Sequence, residues 1–260
     1  MLENIKMNRL LLSILFVVYI VKPVFSEKKA FLNTLKEDSI HILRSPLRVK
    51  KSLVTVSILS TGFIGFLITD EKIQPCFEKD KWSQFDGVFS VTKYLGDGRV
   101  TLTVFSLYYL YGKIFNDRKA RHIFYKGVES FIIAGLLCSG LKVIFGRARP
   151  YLNKGAYDFS LLDFRNSRMS LPSGHATVAF SFASVIDSNT HNLLLKMGVY
   201  SAAGFCALSR VYNNCHWASD IFLGSLLGFY IGKYVCKEKD SNLSFKILPS
   251  KKYLVYRFRF

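Results

Sequence analysis

Hydrophobic and polar positions in this chain alternate segment by segment, not residue by residue. Six apolar stretches, at 52–69, 100–115, 128–145, 174–187, 194–208 and 220–236, are separated by short polar or basic connections. Runs of this length predict helices, because strands rarely stay apolar beyond about eight residues. Several fall short of the ~20 residues that cross a hydrocarbon core comfortably. Ser and Thr interrupt the fourth and fifth, which predicts that these two face other helices and not lipid. Gly135, Gly140, Gly204, Gly224 and Gly228 offer places for backbones to approach closely, and Gly224 and Gly228 have the four-residue spacing of packed membrane helices. The expected fold is all-α: an integral-membrane bundle of about six transmembrane helices. The competing architecture is a very hydrophobic soluble bundle.

The ends of the chain are patterned differently. Lys6 and Arg9 precede an apolar run from Leu10 to Val21, and Val24-Phe25-Ser26 offers a cleavage site. Residues 1–26 are therefore read as a signal peptide or, alternatively, an N-terminal anchor. Residues 27–51 form a basic polar juxtamembrane segment, 52–237 the membrane domain, and 238–260 a basic tail. The tail alternates apolar and basic residues about Pro249-Ser250, the pattern of a short β-hairpin.

Composition agrees with a membrane protein. Half of the 260 residues are hydrophobic, and the formal net charge is +18. Such a charge would suit nucleic acid, but the cations sit in short clusters between apolar runs, as in membrane-protein loops. The partners expected are therefore the bilayer and phosphorylated lipids, with no nucleic acid.

Six crossings would place the connections 146–173 and 209–219 on one side. Arg44, Arg48, Lys50, Lys51, Arg118, Lys119, Arg121, Lys196 and Lys237 would lie on the other. By the positive-inside tendency that second side is cytoplasmic, so the first faces outward. A cleaved signal peptide implies the reverse. The two orientation signals conflict.

The two same-side connections and the helix ends that flank them carry the chemistry. They hold Lys142, then Arg149-Pro150 after six intervening residues, then Pro172-Ser173-Gly174-His175, then Ser209-Arg210, His216 and Asp220. A phosphoryl group in transfer spreads negative charge over its non-bridging oxygens, and fixed cations stabilise it. Lys142, Arg149 and Arg210 can do so, the arginines through forked contacts. Ser173 and Gly174 precede a predicted helix, whose first amides can cradle an oxygen. His216 and Asp220, spaced i, i+4, can form an imidazole–carboxylate pair in which the carboxylate fixes the tautomer. His175 is then free to act as an acid. No metal or other cofactor is required to supply charge. Taken singly, each residue has a blander reading. The cations could be interfacial anchors, Ser173 a helix cap, and either histidine a hydrogen-bonded interfacial residue.

Together these three clusters resemble the signature of the type 2 phosphatidic acid phosphatase and vanadium-dependent haloperoxidase superfamily, in its bacterial membrane lipid phosphatase branch. The resemblance covers about Lys142 to Asp220 and the six-span layout. It implies His216 as a nucleophile that forms a phosphohistidine, Asp220 as its partner, and His175 as the donor to the leaving oxygen. It also implies that Lys142, Arg149, Ser173, Gly174 and Arg210 bind phosphate. The substrates it implies are phosphatidic acid, phosphatidylglycerol phosphate, undecaprenyl pyrophosphate or lipid A phosphates. The location it implies is a bacterial cytoplasmic membrane, and the loop charges turn the site toward the periplasm or exterior. A vanadate-dependent haloperoxidase and a non-catalytic protein that binds anionic lipid are the alternatives.

Other residues are less telling. Cys138, Cys206 and Cys236 fall in apolar stretches and are expected in the core, while Cys76 and Cys215 lie in same-side connections where a disulfide is conceivable. Arg147 is read as contacting substrate or head groups. Asp158, Asp163, Arg165 and Arg168 lie where a substrate-selecting lid would sit.

Overall fold

The computed structural model describes residues 36–40, 52–77 and 82–237. The signal-peptide-like segment, almost all of the basic juxtamembrane segment and the tail with its expected hairpin lie outside the described residues. Helices occupy each of the six apolar stretches. They are α1 (Ser52–Ile73), α3 (Gly98–Ile114), α4 (Arg118–Phe145), α5 (Gly174–Ser188), α6 (Leu193–Tyr212) and α7 (Ala218–Cys236), with a short α2 (Asp86–Thr92) between the first two. Residues 36–40 are also helical. Among the described residues there are no strands, only one isolated bridge between Arg147 and Phe159.

Local chemistry sets the helix ends. α4 begins ten residues before its apolar run because the Asp117 side chain accepts from the amides of Lys119 and Ala120. Its first turns are amphipathic, burying Ala120, Ile123 and Phe124. It stops at Gly146, whose φ of 54° lies in the left-handed region. A Cβ there would meet the Ser160 carbonyl oxygen at 1.6 Å, so only glycine fits.

One core joins Phe105 and Tyr109 of α3 to Ile123, Phe124 and Val128 of α4 and Val185 of α5. A second joins Ile133 and Ala134 of α4 to Ile231 and Val235 of α7. The closest helix pair is α5 with α7. A Cβ on Gly224 would lie 2.6 Å from the Ser173 oxygen, and one on Gly228 would lie 2.1 Å from the Thr177 oxygen. Those two glycines permit backbone contact, as their spacing predicts. Gly135, Gly140 and Gly204 do not, contrary to expectation: a Cβ on any of them would meet nothing within 4 Å. In α5, Thr177, Ser181 and Ser184 are buried, and Ser181 pairs with Ser130 of α4 at 2.6 Å.

Outward faces stay apolar. Ile58, Ile68, Leu107, Ile114, Leu136 and Leu194 are each more than half exposed. Among the described residues, Arg118–Phe145 is the helix both long and apolar enough to cross a bilayer by length and composition.

Candidate active site

The site forms where the last turns of α4 and α6 meet the first turns of α5 and α7. Lys142 donates through Nζ to the Met169 carbonyl at 2.6 Å, which bends the returning loop over the end of α4. Its alkyl stem passes Gly174, where a Cβ would come 3.7 Å from Lys142 Cε. The Ser173 amide donates to the Asp220 carbonyl at 2.9 Å, locking the starts of α5 and α7 together. The amides of Cys215 and His216 both donate to the Arg210 carbonyl, at 3.0 and 3.2 Å, so the turn after α6 returns His216 toward its own helix end. Lys142 lies within electrostatic reach of Arg149, Arg210 and Asp220, and His175 within reach of Arg210, Lys142 and Arg149. The residues anticipated as a site are thus gathered at one end of the bundle.

Three donors there have no protein partner. Arg149 Nε, Arg210 Nε and Ser173 Oγ are buried and make no hydrogen bond. Buried polar groups are nearly always satisfied, so an unsatisfied set around one spot marks a place for an acceptor. Ser173 stands at the N-cap of α5 but makes no side-chain cap bond, so the cap reading of that residue fails. Its hydroxyl is left free, while its carbonyl accepts from the Thr177 amide at 3.0 Å.

His216 is only 2% exposed. Its Nδ1 lies 2.8 Å from the Ser170 carbonyl oxygen. A carbonyl only accepts, so Nδ1 carries the proton and Nε2 of the neutral ring keeps its lone pair. Asp220 Oδ2 is 3.6 Å from Nδ1, too far for a hydrogen bond. The expectation that Asp220 fixes the tautomer is corrected: Ser170 fixes it. Asp220 instead accepts from Ser170 Oγ at 2.5 Å, the Trp217 amide at 2.9 Å and Arg147 at 2.6 Å. Burial pushes the His216 imidazole below its ordinary pKa, toward the neutral form, with Asp220 opposing.

Arg147 contradicts its expected role. It is fully buried and touches no solvent, paired with Asp70 at 2.7 Å as well as with Asp220. Its Nε donates to the Ala156 carbonyl at 2.9 Å, and Trp217 and Phe159 flank it. Asp70, Ser170 and Ser219 belong to this arrangement and went unread in the sequence. Asp70 gave one signal, a carboxylate closing an apolar run. Two serines among many gave none.

The loop 146–173 folds on itself. Arg168 forks onto Asp158 with two 2.9 Å contacts, and Arg165 onto Asp163, whose carboxyl the guanidinium holds well below the usual range. Between these pairs Leu161, Leu162 and Phe164 stand 67–76% exposed. Just before α3, Gly96 abuts His175, where a Cβ would sit 2.6 Å from the His175 oxygen. Cys76 and Cys215 are both free, and their thiols point to the Lys72 and Asn213 carbonyls. Cys138 and Cys206 are buried as expected, while Cys236 is only partly so.

Comparison with known proteins follows the same residues. A family profile described as PAP2 superfamily matches residues 126–240. A lipid A 4'-phosphatase of Porphyromonas gingivalis is 24% identical over 159 residues, 58% of this chain and 65% of that protein. An undecaprenyl-diphosphatase of Sulfolobus acidocaldarius is 30% identical over 114 residues, 44% of this chain and 54% of that one. The chain spans 19% to 65% of the length of the curated relatives it matches. The crystal structure of Aquifex aeolicus LpxE superposes with a TM-score of 0.51 at 25% identity, covering 64% of this chain and 93% of that one.

Proposed function

This chain belongs to the PAP2 superfamily, and on that premise we propose that it is an integral-membrane phosphatase for a lipid phosphomonoester or pyrophosphate. The observation that carries the reading is the set of unsatisfied donors, Arg149 Nε, Arg210 Nε and Ser173 Oγ, gathered in one site with His216. A phosphate supplies several acceptor oxygens and the negative charge that Lys142, Arg149 and Arg210 lack.

In the proposed reaction the His216 Nε2 lone pair attacks phosphorus. A P–N bond forms, the P–O bond to the lipid breaks, and His175 gives its proton to the departing oxygen. His175 then takes a proton from water as that water attacks phosphorus. The P–N electrons return to Nε2 and inorganic phosphate leaves. The Ser170 carbonyl keeps Nδ1 protonated throughout, and Asp220 stabilises the ring while it is cationic. Gly174 lets Lys142 and the first amides of α5 approach the phosphate without a side chain between them.

Two further observations support a lipid substrate in a bilayer. The outer faces of the helices are apolar, and Leu161, Leu162 and Phe164 carry exposed apolar surface into the loop that also holds Arg149. The names of the relatives point to lipid A phosphates and undecaprenyl pyrophosphate. Phosphatidic acid and phosphatidylglycerol phosphate complete the panel to test. The experiment is phosphate release by detergent-solubilised protein across these four lipids, with EDTA present and His216→Ala in parallel. Release that vanishes in the variant supports the proposal. A folded wild type silent on all four overturns it.

A further inference from the structure

We infer that Asp70 is a positioning residue for His216 and Asp220, acting through Arg147 and Ser219, so that the seating of α1 sets the geometry of the phosphate site. The inference rests on the reading of that site as a phosphatase centre. It starts from an imbalance within α1. From residue 57 to residue 73, Asp70 alone is buried, at 1% exposure, while Ile58, Ile64 and Ile68 are each more than half exposed. Apolar contacts such as Phe66 against Phe222 of α7, with ring centroids 5.0 Å apart, hold part of this helix. It also presses a carboxylate into the interior.

The carboxylate is fully engaged. Asp70 Oδ1 accepts from the Ser219 amide at 2.9 Å. Oδ2 accepts from Ser219 Oγ at 2.5 Å and from Arg147 at 2.7 Å. Arg147 and Ser219 then meet at 2.7 Å, and Arg147 reaches Asp220 at 2.6 Å. Every side chain in this chain of contacts is buried, so solvent screens none of it. Beside Asp70, Glu71 accepts from the Ala156 amide at 2.9 Å, fastening the same turn of α1 to the loop that carries Arg147 and Arg149.

Charge counting gives the consequence. Asp70, Arg147 and Asp220 sum to one negative charge, facing a neutral His216 whose Nδ1 is 3.6 Å from Asp220. When Nε2 bonds phosphorus with Nδ1 still protonated, the ring becomes cationic and the group of four becomes neutral. Asp70→Asn removes the compensating charge and leaves Arg147 to Asp220 alone, so the cationic ring forms at greater cost. The phosphate-binding donors are untouched, so ground-state binding is spared and the loss falls on turnover.

The test is a double-mutant cycle on phosphate release by the full chain, comparing wild type, Asp70→Asn, Asp220→Asn and the double variant. Asp70→Asn is expected to lower kcat about tenfold or more with KM within about threefold. In the Asp220→Asn background its further effect should disappear. A wild-type kcat in Asp70→Asn overturns the inference, and so do losses that simply multiply. Because removing one member of a buried pair can unfold a protein, Ser219→Ala provides a second cycle with an uncharged change. It should act in the same direction by a smaller factor, and additivity with Asp220→Asn would again refute the coupling. Orthovanadate affinity, measured on the same variants, reads the cycle without turnover. A wild type that releases no phosphate overturns the phosphatase reading, while non-additive vanadate affinities would still uphold the positioning role and additive ones would end it.

Discussion

The two ends of α5 carry opposite kinds of charge cluster. At its C-terminal end Asp187 takes Lys196 at 2.8 Å, Tyr200 at 3.1 Å and Lys233, so three helices meet on one neutralised carboxylate. At its N-terminal end, Lys142, Arg149 and Arg210 have no carboxylate within ion-pair distance among the described residues. The first cluster is finished by the protein itself. The second is left short of negative charge and of hydrogen-bond acceptors, with Ser173 Oγ among the unpaired donors. Leaving buried donors unmade costs about 1–3 kcal/mol each, and a fold accepts that cost where something else will complete the set. The closed cluster ties three helices together, and the open one is where the proposed phosphate would complete the set.

The sharpest break of this contrast is His216→Ala. Phosphate release should fall by roughly 10⁴-fold or more, with vanadate affinity read alongside. Release near the wild-type rate would remove the nucleophile from the open end. Next come Arg149→Lys and Arg210→Lys, each expected to lower kcat/KM by about 10²-fold, because a point charge cannot supply the forked contact that the unpaired Nε offers. Near-normal steady-state rates would mean these cations act only by charge.

Protonation sharpens the comparison differently. Burial lowers the folded-state pKa of His216, so below its ordinary value of about 6.5 the unfolded chain binds the proton more readily than the native one. Stability should therefore fall as pH drops through that value, and His216→Gln should flatten the dependence in thermal melts. A slope unchanged by the substitution would assign the acid sensitivity elsewhere. Gly228→Ala tests the frame between the ends. Its Cβ would meet the Thr177 oxygen at 2.1 Å, and the expected loss is about 1–3 kcal/mol of stability by denaturant titration. The smallest effect on turnover belongs to Asp187→Asn. It should leave kcat within about twofold while lowering the melting temperature. A large kcat loss there would show that the two ends are not independent.

Much of this was legible in one dimension. Apolar runs gave the positions of six helices because burial and helix formation both act on segments of that length. Gly224 and Gly228 announced a close helix pair, whereas Gly135, Gly140 and Gly204 looked alike in sequence and face open space. Spacing singled out Lys142, His175, Arg210 and His216, each within a turn of a helix end, and Arg149 in the loop after α4, and the packed chain brings these candidates to one end of the bundle.

Arg147 and Arg149 mark the limit. They stand two residues apart in one Gly-Arg-Ala-Arg-Pro run and are chemically identical. One is sealed between Asp70 and Asp220, and the other keeps an unpaired nitrogen toward the site. Residue type and spacing fixed which chemistry was present: three cations, two imidazoles and one carboxylate at one end of a helical bundle. Which cation is structural, and that Ser170 and not Asp220 orients His216, depended on partners 46 to 77 residues away. Hydrogen bonds reach about 3 Å whatever the sequence separation, so only the packed chain decides who is near enough to make them.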